Sequence, residues 1–195
     1  GSTVQITTSW NKKKYTTATN SEGKWKTKIA TPAAGGPYEI TISDGSAITI
    51  KNILIGEVWL CSGQSNMEMA VKGFKDQPIY NSNDAIFNST NNNIRLYTVP
   101  RSVQRTPQDT SKNSSWKNAE PETVSNFSAT AYYFGKILYE QLHVPIGLVN
   151  ISYGGSPVEA FMDEATLKTF PEIKVPAKTD TARLNNRVAT VLYNG

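Results

Sequence analysis

Thiols and imidazoles are almost absent from this chain: its 195 residues include one cysteine, Cys61, and one histidine, His143. A single thiol excludes an internal disulfide framework and any zinc site built from several thiolates, and a single imidazole excludes a histidine-rich metal centre. Long apolar runs are lacking as well. Ile53 to Ile55 and Val58 to Cys61 fall far short of the roughly 20 apolar residues needed to cross a bilayer, so no membrane partner is expected. Nor does charge of one sign dominate. The 20 basic residues against 16 acidic ones give a net charge of +4, scattered without a basic stripe between aromatics, and a nucleic-acid partner is not expected. The tightest cluster, Lys12-Lys13-Lys14, lies between strand-like segments and reads as a solvated hairpin loop. No signal peptide is visible, and Gly1-Ser2 looks like the scar of a removed tag, so the natural start is expected upstream.

What is present suffices for a packed core, with 38% hydrophobic residues and four tryptophans. Two regions differ in character. Residues 1–52 alternate polar and apolar positions between turn formers, with strand candidates at Val4 to Ile6, Lys24 to Ile29 and Tyr38 to Ile42. A small antiparallel, sandwich-like region is expected there. Tyr15, Trp25 and Tyr38 would serve packing or sugar stacking, packing being the commoner use. Residues 53–195 pair strand runs with helix-length segments. Glu57 to Cys61 has the composition of a buried parallel strand, and Ile94 to Val99 and Ile146 to Ile151 follow as further strands. Between the last two, Ala129, Tyr133, Phe134, Ile137, Leu138 and Leu142 recur at spacings of three and four, a helix that Ser125 or Asn126 would cap. Strand, helix, strand in that order predicts a three-layer α/β/α domain. The polar, aperiodic stretch from Ser102 to Asn118 reads as a long surface loop.

Two turns could carry chemistry. Cys61-Ser62-Gly63-Gln64-Ser65-Asn66-Met67 follows the first strand of the second region and opens toward a helix, placing a serine where open α/β sheets bind ligands. A serine hydroxyl needs such fixed surroundings, a base and an anion-stabilising pocket, to act as a nucleophile. It is not the nucleophile elbow of the α/β-hydrolases, because Met67 stands where the second glycine would be. Ser152-Tyr153-Gly154-Gly155-Ser156-Pro157-Val158-Glu159 also follows a strand, and paired glycines can aim a backbone N–H at a ligand. Each turn taken alone is equally readable as ordinary chain reversal.

The run from Gly56 to Met69, Gly-Glu-Val-Trp-Leu-Cys-Ser-Gly-Gln-Ser-Asn-Met-Glu-Met, resembles the first block of the sialate O-acetylesterase family within the SGNH (GDSL-like) hydrolases. Asn126 to Gly135, Val144 to Leu148 and Ser152 to Phe161 resemble later family segments in the same order, with Tyr153 and Phe161 where the family commonly has tryptophan. The resemblance implies the N-terminal part of an SGNH-type α/β/α hydrolase domain. It also implies removal of acetyl groups from sugar hydroxyls through an acetyl-serine intermediate, with no cofactor and no metal. It puts Ser65 on the nucleophile and gives the N–H groups of Ser65 and Gly155 the oxyanion. Gln64 replaces the aspartate of Gly-Asp-Ser, and Gln64, Asn66 and Glu159 would shape the site. A secreted or periplasmic setting is implied by the same likeness.

The family's Gln-Gly-Glu-Ser-Asn block and its Asp-x-x-His segment do not occur in these residues. His143 sits on the connection into a strand, at the sheet end opposite Ser65 and Gly155, and a helix-terminal role explains it better than general-base catalysis. The expectation is therefore that the catalytic aspartate and histidine come from a C-terminal remainder of the esterase or from a second chain. The alternative reading is a non-catalytic carbohydrate-binding module or a fragment with a vestigial serine turn.

Overall fold

Alternation of apolar and polar residues in the first region builds an antiparallel sheet from β1 (Thr3–Thr8), β2 (Lys14–Ala18), β3 (Gly35–Ser43) and β4 (Ala47–Ile55), in the order β2-β1-β3-β4. The computed structural model describes residues 1–195, which divide into two compact units, Gly1–Glu57 and Val58–Gly195. The division comes after β4 has run across the 52/53 position to Ile55. In β1 every second residue, Val4, Ile6 and Thr8, is buried. Ile6 lies opposite Tyr15 on one side and Ile42 on the other, while Ile40 and Ile42 face Ile50 and Ile48, so one face of the sheet is apolar from β2 to β4.

The lysine cluster is the β1–β2 hairpin, with Lys12 in the left-handed region at φ 54° and Lys14 opening β2. Lys24 to Ile29, expected as a strand, is part of neither sheet. Side chains hold this stretch instead: Thr17 Oγ1 donates to the Lys26 carbonyl at 3.1 Å, and Trp10 Nε1 donates to the Ala30 carbonyl at 3.0 Å. Alternation reports one-sided burial and cannot distinguish a paired strand from an extended segment bonded through side chains. Two of the candidate stacking aromatics are engaged locally. Tyr38 packs edge-on against Trp10 with ring centroids 5.5 Å apart, and the Tyr15 hydroxyl accepts from Ala30 N–H.

The second unit takes in all but the first residue of β5 (Glu57–Gly63), then α1 (Ser65–Glu68), α2 (Ser82–Phe87), β6 (Asn91–Thr98), β7 (Lys117–Ala119), α3 (Pro121–Ser125), α4 (Ala129–Leu142), β8 (Ile146–Ser152) and α5 (Glu164–Leu167). A short 3₁₀ helix covers Val158–Phe161. The sheet order is β5-β8-β6-β7, with β6 parallel to β8 and antiparallel to β7. The chain thus joins an antiparallel sheet to a mixed α/β sheet. Crossover helix α4 lies between the parallel strands in sequence and covers one face of them. Ile94 and Leu96 of β6 and Ile146 and Leu148 of β8 are buried with Ala131 and Tyr132 of α4 and with Val71, Val124 and Phe127. Burying each such aliphatic side chain contributes about 1.5–3 kcal/mol.

Local chemistry sets the ends of α4. Ser128 caps it, its hydroxyl accepting from Ala131 N–H at 3.1 Å. The expected caps, Ser125 and Asn126, are instead the last residue and C-cap of the separate helix α3, which starts at Pro121 with Glu120 and Thr123 bonded reciprocally. At the other end His143 adopts φ 53° and its backbone N–H donates to the Tyr139 carbonyl at 2.9 Å. The polar stretch after β6 is a loop up to β7. Its inner side is bonded to the end of the chain, Gln104 N–H donating to the Val191 carbonyl and Gln108 N–H to the Asn194 carbonyl.

The expected burial of the Glu57 to Cys61 strand needs correction. β5 is at the sheet edge, and Val58 and Leu60 are 66% and 65% exposed, with Cys61 alone buried. Trp59 is covered in part by the edge-on ring of Phe134, 5.0 Å away. No helix in the chain is long and apolar enough to cross a membrane.

Candidate functional site

Strand β5 delivers its last residue, Gly63, next to the end of β8, where the Tyr153 N–H donates to the Gly63 carbonyl at 3.1 Å. That bond brings the two candidate turns together. Ser65 is the first residue of α1 and is exposed. Its Oγ donates to the Gln64 Oε1 at 3.4 Å, and the Gly155 N–H donates to the same oxygen at 3.2 Å. One carbonyl oxygen therefore sits between a serine hydroxyl and a backbone amide. The carbonyl oxygen of a bound ester would compete for the same amide.

The adjacent glycines differ in what a side chain would meet. Gly155 has φ 74°, which an L side chain tolerates only at a cost, yet a Cβ there would meet nothing nearer than Arg187 Nη2 at 3.8 Å. At Gly154 a Cβ would fall 2.5 Å from Glu68 Oε2, the end of a flexible side chain, and 3.7 Å from the Ser65 Cα, so a side chain there would push the carboxylate aside. Glu68 closes α1, one turn beyond Ser65. Its Oε2 accepts from the Gly154 N–H and its Oε1 from Arg101 Nη2. Arg101 in turn donates from Nε to the Ser152 carbonyl at 3.4 Å and lies over the Tyr153 ring at 4.5 Å. Beside this cluster is a cavity of about 440 Å³, lined by Arg101, Ser102, Tyr153, Arg183, Asn185 and Asn186. Asn186 Nδ2 also donates to the Gly154 carbonyl at 3.0 Å and to Ser156 Oγ at 2.9 Å.

Gln64, Ser65 and Gly155 are thus brought into one hydrogen-bonded group. Asn66 adjoins them through its backbone, its carbonyl accepting from Thr130 Oγ1 at 3.1 Å and tying α1 to α4. Glu159 is in the 3₁₀ helix, where its backbone carbonyl accepts from Thr190 N–H at 2.9 Å, and its carboxylate makes no hydrogen bond with the serine turn. His143 precedes β8 while Gly154 and Gly155 follow it. Seven residues rising about 3.3 Å each separate these ends by roughly 20 Å, far outside the reach of a general base. The Cys61 thiol is buried, which pushes its pKa up.

Sequence reasoning assigned no role to Glu68 or Arg101. Both carry one available signal, a position just beyond the C-terminal end of a strand of the same sheet.

No protein-family model matches the chain. Among curated proteins it is 30% identical over 184 residues to sialate O-acetylesterases of Homo sapiens and Mus musculus, the match taking in 86% of this chain. The chain spans about a third of the length of these relatives, 34% of the human protein and 33% of the mouse protein. Among solved structures it superposes on a carbohydrate acetylesterase from Xanthomonas citri with a TM-score of 0.83 and 32% identity, covering 99% of this chain and 40% of that one.

Proposed function

Because the chain is homologous to sialate O-acetylesterases, we propose that it is the serine-bearing part of a carbohydrate O-acetylesterase. Ser65 is the nucleophile: its Oγ attacks the carbonyl carbon of an acetyl group on a sugar hydroxyl. The N–H groups of Ser65 and Gly155 stabilise the negative charge that develops on the carbonyl oxygen. Collapse of that intermediate expels the sugar hydroxyl and leaves an acetyl-serine, which water hydrolyses to acetate. The observation that carries this reading is the convergence of Ser65 Oγ and Gly155 N–H on one oxygen, that of Gln64. Substrate displaces the Gln64 side chain from that amide, and Gln64 then lines the pocket. The cavity beside Tyr153, with its guanidinium and carboxamide groups, receives the sugar, whose hydroxyls suit such donors.

The general base comes from elsewhere. With one imidazole at the far end of β8, the aspartate and histidine that activate Ser65 belong to a C-terminal remainder of the enzyme or to a second chain. The span of about a third of the relatives' length supports this division. A secreted or periplasmic setting belongs to the same reading.

Acetate release from an O-acetylated sugar tests the proposal, measured on an active enzyme containing this chain. Ser65→Ala is expected to lower turnover by a factor on the order of 10⁶, as loss of a serine nucleophile does elsewhere. Turnover within tenfold of the parent would show that Ser65 is not the nucleophile.

A further inference from the structure

We infer that Glu68 is a positioning residue, whose carboxylate clamps the Gly154-Gly155 turn to the helix carrying Ser65; its catalytic consequence rests on the esterase reading above. Helix α1 has four residues, and the Gln64 side chain does not cap it. Two backbone bonds close it, from Glu68 N–H to the Gln64 carbonyl at 2.8 Å and from Met69 N–H to the Ser65 carbonyl at 3.0 Å. So short an element cannot by itself fix the position of Ser65 against a loop from another strand.

Glu68 adds a direct tie from α1 to the glycine turn, beyond the Tyr153 N–H to Gly63 carbonyl bond that joins the strand ends. One of its oxygens takes the Gly154 N–H and the other takes the Arg101 guanidinium, so both contacts are charge-assisted. An ordinary surface ion pair between flexible side chains stabilises little. Here one partner is a backbone amide, the Glu68 side chain is only 25% exposed, and its carboxylate occupies the space that a Cβ at residue 154 would take. Arg101 is also held in place by the Ser152 carbonyl and the Tyr153 ring.

A closed circuit results. It runs from Ser65 along α1 to Glu68, across to Gly154, on to Gly155, and back through the Gly155 N–H to Gln64 and Ser65. The clamp therefore sets the separation between nucleophile and oxyanion donor, and such a constellation must be held to within about 0.5 Å.

Two measurements test the clamp. On this chain, amide hydrogen exchange followed by NMR reads it without any catalysis. In Glu68→Ala the Gly154 amide is expected to exchange at least about tenfold faster, while the buried amides of β8 keep their protection. An unchanged Gly154 rate overturns the proposal. On the active enzyme, Glu68→Ala is expected to lower kcat by about 10²-fold, as loss of an oxyanion donor does, with KM changed less than about threefold. Glu68→Gln keeps an oxygen for the Gly154 N–H and should recover at least about a tenth of the parental kcat. A kcat for Glu68→Ala within about threefold of the parent, or a Gln variant no better than the Ala one, overturns the positioning role. Ser65→Ala separates the two readings: full activity there sinks the assignment of Ser65 as nucleophile, while the exchange experiment still reports on the clamp.

Discussion

Replacing Gly155 by alanine isolates the backbone geometry of the proposed oxyanion donor. The nearest atom to a new Cβ is Arg187 Nη2 at 3.8 Å, an ordinary contact, so overpacking contributes nothing. What remains is torsional. Holding a non-glycine residue near φ 74° costs about 1–2 kcal/mol. Against this, alanine restricts the unfolded chain and offsets about 0.4–1 kcal/mol. The net loss is then about 0–1.6 kcal/mol, or at most about 6 °C in Tm at roughly 2–4 °C per kcal/mol for a chain of this size. The alternative is relaxation of φ to negative values, which relieves the strain but rotates the N–H away from Gln64 Oε1. Stability and turnover should therefore trade against each other: a variant that keeps the strained geometry keeps its activity, and one that relaxes loses about 10²–10³ in kcat. Thermal unfolding and acetate release, measured side by side, read both. A stability loss above about 3 kcal/mol would mean that packing rather than torsion governs the site, beyond what a single left-handed residue costs. Relaxation of the Gly155 amide, seen by NMR, without loss of turnover would refute its role as oxyanion donor.

The exposed β5 edge, with Val58 and Leu60 about two-thirds uncovered, is expected to make the isolated chain self-associate as concentration rises. Leu60→Lys should shift sedimentation-velocity profiles toward monomer, and an unchanged profile would place the association elsewhere. Leu148 is fully buried under α4. Leu148→Ala is expected to cost about 2–5 kcal/mol in urea unfolding, and a loss below about 1 kcal/mol would mean that this core collapses onto the gap.

Much of the fold was legible because local periods dictate it. The helix over Ala129–Leu142 and the strands around Ile94 and Ile146 follow from spacings of three to four and from short β-branched runs, and their parallel pairing follows from the helix between them. The serine and glycine turns were visible as motifs at strand ends. Less legible were features that depend on neighbours. An apolar run such as Val58 to Cys61 shows that a strand has faces to bury but not which neighbours cover them, and the sheet order leaves this one at the edge. Ser125 and Asn126 offered a cap, and only the presence of α3 left that role to Ser128.

By itself the sequence determined the long helix, most of the strands, the two turns and the scarcity of imidazole, because each depends on residues close together in the chain. Only the tertiary structure decided which of those residues meet. Gln64 and Gly155 are 91 positions apart, Glu68 and Gly154 are 86 apart, and Glu68 and Arg101 are 33 apart. No local pattern encodes such pairings. They exist because β5, β8 and β6 lie side by side and end on the same side of one sheet, which places three distant segments within hydrogen-bonding distance. The same arrangement puts His143 at the opposite end of β8, far from Ser65.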